Sequence, residues 1–346
     1  MKIEKLVKKE VRRLRAYEAK EIPCRVKLDA NESPFDHTEL LKTLKGVSTN
    51  RYPDPEARAL RREAAKRWRV RTGQILPGNG SDELIYYLIT TFGGPVLFPE
   101  PTFSMYGIIG RALGVKVVGV KLDRDFDLNI KKMEDAIRRY RPKIVFLSIP
   151  NNPTGNCFSS ERVLRLSRVH KGILVIDEAY HLFSSRNGYV PLLKDMDNLV
   201  IMRTLSKIGF AGLRTGFLIG REELIKEVNK VRLPFNVNSL SQRVALEAFK
   251  GYPGILKEVD KVITERERLY GELQDTEGVR PYPSEANFIL FQVKDGARVW
   301  KALLKEGVLV RDMTSTIRDA LRVTVGLKEE NEFFLNALRR VLKKGR

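Results

Sequence analysis

Cysteine is almost missing from this 346-residue chain: there are two, Cys24 and Cys157, far apart and outside any CxxC spacing. With only three histidines, His37, His170 and His181, the chain offers no disulfide framework and no zinc-like ligand cluster. Long apolar runs are missing too. No stretch approaches the roughly 18 residues that suggest a membrane span, and the segment from Met1 to Pro23 carries charge throughout, so neither an anchor nor a signal peptide is read there. A cytoplasmic protein without a membrane partner is the expectation. Acidic charge is also short: 43 Asp and Glu face 63 Lys and Arg, a formal net charge of +20. Such an excess attracts polyanions. The basic residues are spread along the whole chain, however, and pairs such as Arg61 with Arg62 read as solvated helix faces, so no nucleic-acid partner is expected. Part of the charge can serve to draw in a phosphorylated or carboxylated small substrate.

What is present is an alternation of short β-branched runs with amphipathic helical stretches, the pattern of an α/β fold with a mostly parallel sheet covered by helices. Strands are predicted at PVLFP near 96, VKVVGVKL near 115, KIVFLSIP near 144, GILVIDEAY near 172, LVIMRT near 199 and TGFLIG near 215. From about residue 239 long charged helices take over, with short strands at ANFILFQV and ALRVTVG, which is α+β character. The expected division is a large domain over residues 30–238. The N-terminal arm (1–29) and residues 239–346 make a smaller second unit. A cleft between two such units is a common ligand site.

Four segments carry chemistry. Residues 203–220, RTLSKIGFAGLRTGFLIG, place Thr204, Ser206 and Lys207 at a strand end, before a Gly-rich turn and Arg214. Hydroxyls with a guanidinium are donors for a phosphate, and the carboxyl end of a parallel strand is where open α/β sheets bind ligands. On this segment alone, a solvated surface lysine reads equally well. Residues 175–180, VIDEAY, deliver Asp177 to the end of a buried strand, where a carboxylate needs a partner. A protonated ring nitrogen is one such partner, and a helix cap is the plainer alternative. PNNPTG at 150–155 sets Asn152 after another strand, or is simply a turn. GNGSDE at 78–83 is a Gly turn opening a helix, so the amides of Ser81 and Asp82 face a potential anion.

Taken in order, these segments and LDANESPF (28–35), RYPDP (51–55), PTFSMY (101–106), AGLR, RLPFNVN (232–238), VRD (310–312) and LRVTVG (321–326) resemble the fold-type I pyridoxal-phosphate enzymes of the class-II aminotransferase group. The likeness spans nearly the whole chain, and RLPFNVN is similar to the histidinol-phosphate branch of that group. One such motif is weak, whereas the ordered set is specific.

The resemblance implies that Lys207 holds pyridoxal 5'-phosphate as a Schiff base, that Asp177 pairs with the ring nitrogen, and that Asn152 and Tyr180 bond the ring hydroxyl. It gives Ser81, Asp82, Thr204, Ser206 and Arg214 to the cofactor phosphate, and puts Phe103 where an aromatic ring stacks on the cofactor. It also implies a homodimer in which a tyrosine like Tyr52 reaches the phosphate held by the neighbouring subunit. For the substrates, histidinol phosphate and glutamate or 2-oxoglutarate, it points to Arg322, with Arg311, Tyr17 and Asn31 lining the same pocket. Lys207 is then expected to shuttle a proton between the substrate Cα and the cofactor while the ring stores electrons. Threonine-phosphate decarboxylation or aromatic transamination uses the same machinery and is the alternative. Two departures stand out. The spacing from Lys207 to Arg214 is one residue shorter than in many members, so that turn must be tight. Phe103 replaces the commoner Tyr or Trp, which keeps the aromatic face and loses a polar handle.

Overall fold

Strands form where the chain runs several apolar residues together, because a sheet covered on both faces by helices has no wet side to show. The computed structural model describes residues 3–12, 14 and 21–343; Tyr17 lies outside the described residues. In chain order the strands are β1 Val26–Leu28, β2 Ile75–Asn79, β3 Val96–Glu100, β4 Val117–Lys121, β5 Ile144–Ser148, β6 Ile173–Asp177, β7 Leu199–Thr204, β8 Thr215–Gly220, β9 Val279–Pro281, β10 Phe288–Val293, β11 Val308–Asp312 and β12 Ala320–Thr324.

Seven of them form the larger sheet in the order β2-β8-β7-β6-β5-β3-β4. Strands β4, β3, β5, β6 and β7 are mutually parallel, while β8 runs against both of its neighbours. This is the mostly parallel α/β sheet that the sequence pattern predicts. Successive residues of a strand face opposite ways, and each face has its own packing. Phe146, Val175, Val200 and Met202 meet Leu84, Leu88 and Tyr106 on one side. Val145, Leu147, Leu174, Ile176 and Ile201 line the other, in a buried cluster that runs on to Phe288, Phe291, Val323 and Leu335.

Those last residues belong to a five-stranded sheet ordered β1-β11-β12-β10-β9. Its strands are antiparallel except for β1, which pairs parallel to β11. The strand predictions near 288 and 320 meet β10 and β12, but β1, β2, β9 and β11 were not foreseen. β1 and β9 are three residues each, β11 ends in the exposed Arg311 and Asp312, and β2 contains Pro77 and Gly78 and forms by pairing with β8. Among the described residues no helix is long and apolar enough to cross a membrane.

Candidate active site

The carboxyl ends of β5, β6 and β7 open toward one region, as expected for an open α/β sheet. Asp177 closes β6 and is 3% exposed. Its carboxylate accepts from the Tyr106 hydroxyl at 2.7 Å and from the Ala179 amide at 3.1 Å. Burial pushes this carboxyl from its ordinary 3.8 up to about 6, against the pull of those hydrogen bonds and of the Lys207 charge. Tyr106 was not singled out from the sequence, although it ends the PTFSMY motif. Its ring stacks on Phe146 with centroids 4.6 Å apart and is met edge-on by Phe103. Burial above all, and then the Asp177 charge, keep its phenol protonated well above the ordinary range.

After β5, the paired asparagines of PNNPTG divide the labour. Asn151 is fully buried, donates to the Pro101 carbonyl and to Thr154 Oγ1, and accepts from Thr102 Oγ1, so it fastens the PTFSMY turn to this one. Asn152 instead accepts from Arg322 Nη1 on β12. The Arg322 guanidinium is 7% exposed, also donates to the Asp29 carbonyl at 2.8 Å, and lies 5.1 Å over the Phe288 ring. Arg311 stands directly across from Arg322 in the β11–β12 register, with an exposed side chain.

Tyr180, buried three residues beyond Asp177, accepts a 2.9 Å hydrogen bond from Asn31 Nδ2. Its hydroxyl proton is therefore free to point at a ligand. Asn31 takes a left-handed backbone, φ 55°, and is pinned by Thr324 Oγ1 and Asn287 Nδ2. Lys207 Nζ lies 5.8 Å from the Tyr180 ring centroid.

The short turn after Lys207 closes through two left-handed residues, Gly209 at φ 101° and Arg214 at φ 48°. That reversal brings Arg214 back to Ser206 Oγ at 3.5 Å and to Asp82 Oδ2 at 3.4 Å. Thr204 Oγ1 bonds Ser206 Oγ at 2.9 Å and receives the Ser206 amide at 3.1 Å. The start of the helix Ser81–Phe92 meets this cluster at close range: a Cβ on Gly216 would stand 3.0 Å from the Ser81 nitrogen, and one on Gly80 would stand 2.6 Å from Arg214 Nη2. Gly80 also needs φ +83°. A Gly80→Ala variant is expected to lose about 1–2 kcal/mol of stability through that strain. It should also bind cofactor about tenfold more weakly by displacing Arg214, which an absorbance titration of the cofactor-free protein would read.

Do these residues suit pyridoxal phosphate? At one end lies a buried carboxylate with a raised pKa and no cation hydrogen-bonded to it, suited to a protonated ring nitrogen. At the other, a guanidinium, two hydroxyls and a helix start suit a phosphate. There the buried Asp82 Oδ1 has no hydrogen-bond partner among the described residues. An amine and an aromatic side chain, Lys207 and Phe103, complete the set, and the residues fit the group.

Tyr52 does not join them. It is 81% exposed and stacks on Phe235, centroids 4.5 Å apart, so RYPDP and RLPFNVN meet at the surface. Arg232 secures that meeting by donating to the Pro55 carbonyl at 2.7 Å and to Glu56 at 3.1 Å.

The family model described as aminotransferase class I and II matches residues 23–338. Fold and site together thus define a pyridoxal-phosphate-dependent aminotransferase of fold type I. The histidinol-phosphate aminotransferase of Caldanaerobacter subterraneus subsp. tengcongensis is 40% identical over 98% of this chain and 99% of its own length; that of Aquifex aeolicus is 41% identical over 98% of both. The crystal structure of the histidinol-phosphate aminotransferase from Sinorhizobium meliloti in complex with pyridoxal-5'-phosphate matches the fold with a TM-score of 0.87, at 22% identity over 98% of each chain. The chain belongs to the class I and II aminotransferases and, within them, to the histidinol-phosphate aminotransferases.

Proposed function

We propose that the protein moves the amino group between L-histidinol phosphate and 2-oxoglutarate, giving imidazole acetol phosphate and glutamate, as a step of histidine biosynthesis. The observation that carries this reading is the hydrogen bond from Arg322 to Asn152. It sets a buried guanidinium beside the residue assigned to the cofactor's hydroxyl, so an anionic substrate can be clamped next to the reacting carbon. A guanidinium fork suits both a carboxylate and a phosphate, which is what an enzyme accepting two different anions in turn requires.

In this reading Lys207 carries the cofactor, Asp177 pairs with its ring nitrogen, Asn152 and Tyr180 bond its hydroxyl, and Phe103 covers one face. Its phosphate rests on the Ser81 and Asp82 amides, Thr204, Ser206 and Arg214. When bound, pyridoxal phosphate supplies an electron sink that lets the substrate Cα–H bond break heterolytically. The rest is done by side chains. Lys207 Nζ takes the proton from Cα and returns it as a positioned base and acid. Asp177, fixed by Tyr106, holds a proton on the ring nitrogen. Tyr180, oriented by Asn31, donates its hydroxyl proton. Arg322 orients the substrate, with Arg311, Asn31 and, on resemblance alone, Tyr17 completing the pocket.

The site is completed by a second copy of the chain, whose Tyr52 reaches the cofactor phosphate. The exposure of the stacked Tyr52 and Phe235 pair supports that assignment.

Replacing Arg322 by Ala is expected to lower kcat/KM about 10²-fold or more for both the amino donor and the oxo-acid acceptor, the usual cost of truncating a buried, hydrogen-bonded charge. Unchanged Michaelis constants for both would refute its role. A coupled assay offering histidinol phosphate, threonine phosphate and phenylalanine as amino donors tests the substrate. Glutamate formation from 2-oxoglutarate with histidinol phosphate is the expected outcome; carbon dioxide from threonine phosphate, or aromatic oxo acids as the main product, would replace this reading.

A further inference from the structure

The positive charge of this chain is not exhausted by its active site. A cavity of about 1010 Å³ runs along the flank of β7, from His181 and Arg203 near the carboxyl ends of β6 and β7 to Lys194 and Arg221 near the amino end of β7. Six of its lining residues are cations, Arg67, Arg69, Arg71, Lys194, Arg203 and Arg221, against one lining carboxylate, Glu223. None of the residues assigned to the cofactor lines it. It is nevertheless built on their chain neighbours. Arg203 precedes Thr204 on β7, and His181, also in the lining, follows Tyr180. Consecutive residues of an extended strand face opposite ways, so Arg203 on β7 turns to this cavity while Thr204 turns to the cofactor residues.

Some of those cations are already committed. Arg203 donates twice to Glu178, from Nε at 2.9 Å and Nη2 at 2.7 Å, Arg221 pairs with Asp197, and Arg71 reaches Glu222 at 3.1 Å. Arg67, Arg69 and Lys194 have no carboxylate partner among the described residues. Arg67 lies against the Tyr252 ring, 4.1 Å from its centroid, which holds its charge at the cavity wall. Arg69 ends the helix Arg58–Trp68, whose carbonyl end offsets only about half a charge. Three uncommitted cations and two that each share a single surface carboxylate are more than one monoanion can use.

We propose that this cavity binds a small oligophosphate, an anion of two or more linked phosphate groups, at a site separate from the catalytic one. Phosphate is favoured because guanidinium forks match its oxygens, and the volume suits a ligand of nucleotide size. No free aromatic face waits there for a base: Trp68 is 9% and Tyr252 4% exposed, the latter beneath Arg67. Recognition is therefore of the phosphate chain, and a nucleoside attached to it adds little.

The test is calorimetric titration of the cofactor-loaded enzyme, at near-physiological salt, with tripolyphosphate, ATP and adenosine. One tripolyphosphate per chain is expected, ATP should bind with similar affinity, and adenosine should not bind. The double variant Arg69→Glu/Lys194→Glu should weaken tripolyphosphate binding at least about tenfold while leaving kcat and KM unchanged, which also shows that it folds. The exposed pair Lys131→Glu/Lys132→Glu changes net charge equally and lines no part of the cavity; it should weaken binding by no more than about twofold, the part owed to long-range charge. Equal losses in the two variants would mean diffuse attraction to a basic surface and overturn the site. Binding that survives Arg69→Glu/Lys194→Glu but vanishes in Arg322→Ala would place the anion in the catalytic pocket and overturn it equally. So would binding of ATP without tripolyphosphate, or no binding at all.

Discussion

Replacing Lys207 by Ala is expected to lower turnover by roughly 10⁴-fold or more, since under the proposed mechanism it removes the covalent anchor and the proton carrier at once. The visible absorbance of the lysine-bound cofactor should vanish with it, while the phosphate-binding residues still retain free cofactor. Lys207 has no near substitute in the site. The other cations assigned to the site are Arg214, tied to Ser206 and Asp82, and Arg322, tied to Asn152 and the Asp29 carbonyl. A guanidinium stays protonated at any working pH and cannot act as a base. Single-turnover measurements with pre-formed amino-donor complex separate the two roles, and a variant that keeps ordinary turnover would remove Lys207 from the mechanism altogether.

The second large effect is expected at Asp177, and its two halves have opposite signs. Asp177→Asn should lower kcat/KM by roughly 10²–10⁴-fold, because deleting one partner of a buried charge pair costs about 3–5 kcal/mol. The cofactor-free variant, by contrast, should be at least as stable as the parent at pH 8. Between its ordinary 3.8 and about 6 the buried carboxyl keeps a proton that the unfolded chain has already released. Stability therefore falls as pH rises through that window, reaching a cost of about 3 kcal/mol above it. An amide in the same place carries no charge to bury; its oxygen can accept from the Ala179 amide while its nitrogen donates to the Tyr106 hydroxyl oxygen. Denaturant melts of both cofactor-free proteins at pH 4 and pH 8 would read this. An Asn variant that is less stable at pH 8 and fully active would contradict both halves.

Much of the fold was legible because central strands of its larger sheet are fully buried and so read as unbroken apolar runs; the parallel β5 and the antiparallel β8 are examples. The strands that were missed owe their existence to partners. β2 carries a proline and a glycine and is a strand because β8 lies beside it. The candidate site was legible where its residues sit in short segments at strand ends, as Asn152, Asp177 and Lys207 do. It was not legible where contacts join distant segments. Tyr106 meets Asp177 across 71 residues and Asn31 meets Tyr180 across 149, and no local pattern announces either pairing. The second basic cavity was hidden for the same reason. Its cations come from residues 67–71, 194, 203 and 221, and in the sequence they look like a charge spread evenly over solvated helices.

The parallel pairing of β1 with β11 joins Val26 to Val308. An emerging chain can complete the larger sheet as soon as residue 220 is available, but its smaller sheet must wait for nearly the whole polypeptide. Asn31, just beyond β1, is held by Thr324, and Arg322 is held by the Asp29 carbonyl. The pocket proposed for the substrate is therefore the last part of the molecule to be assembled during synthesis, after the surface assigned to the cofactor. Colour during refolding should accordingly return before activity does.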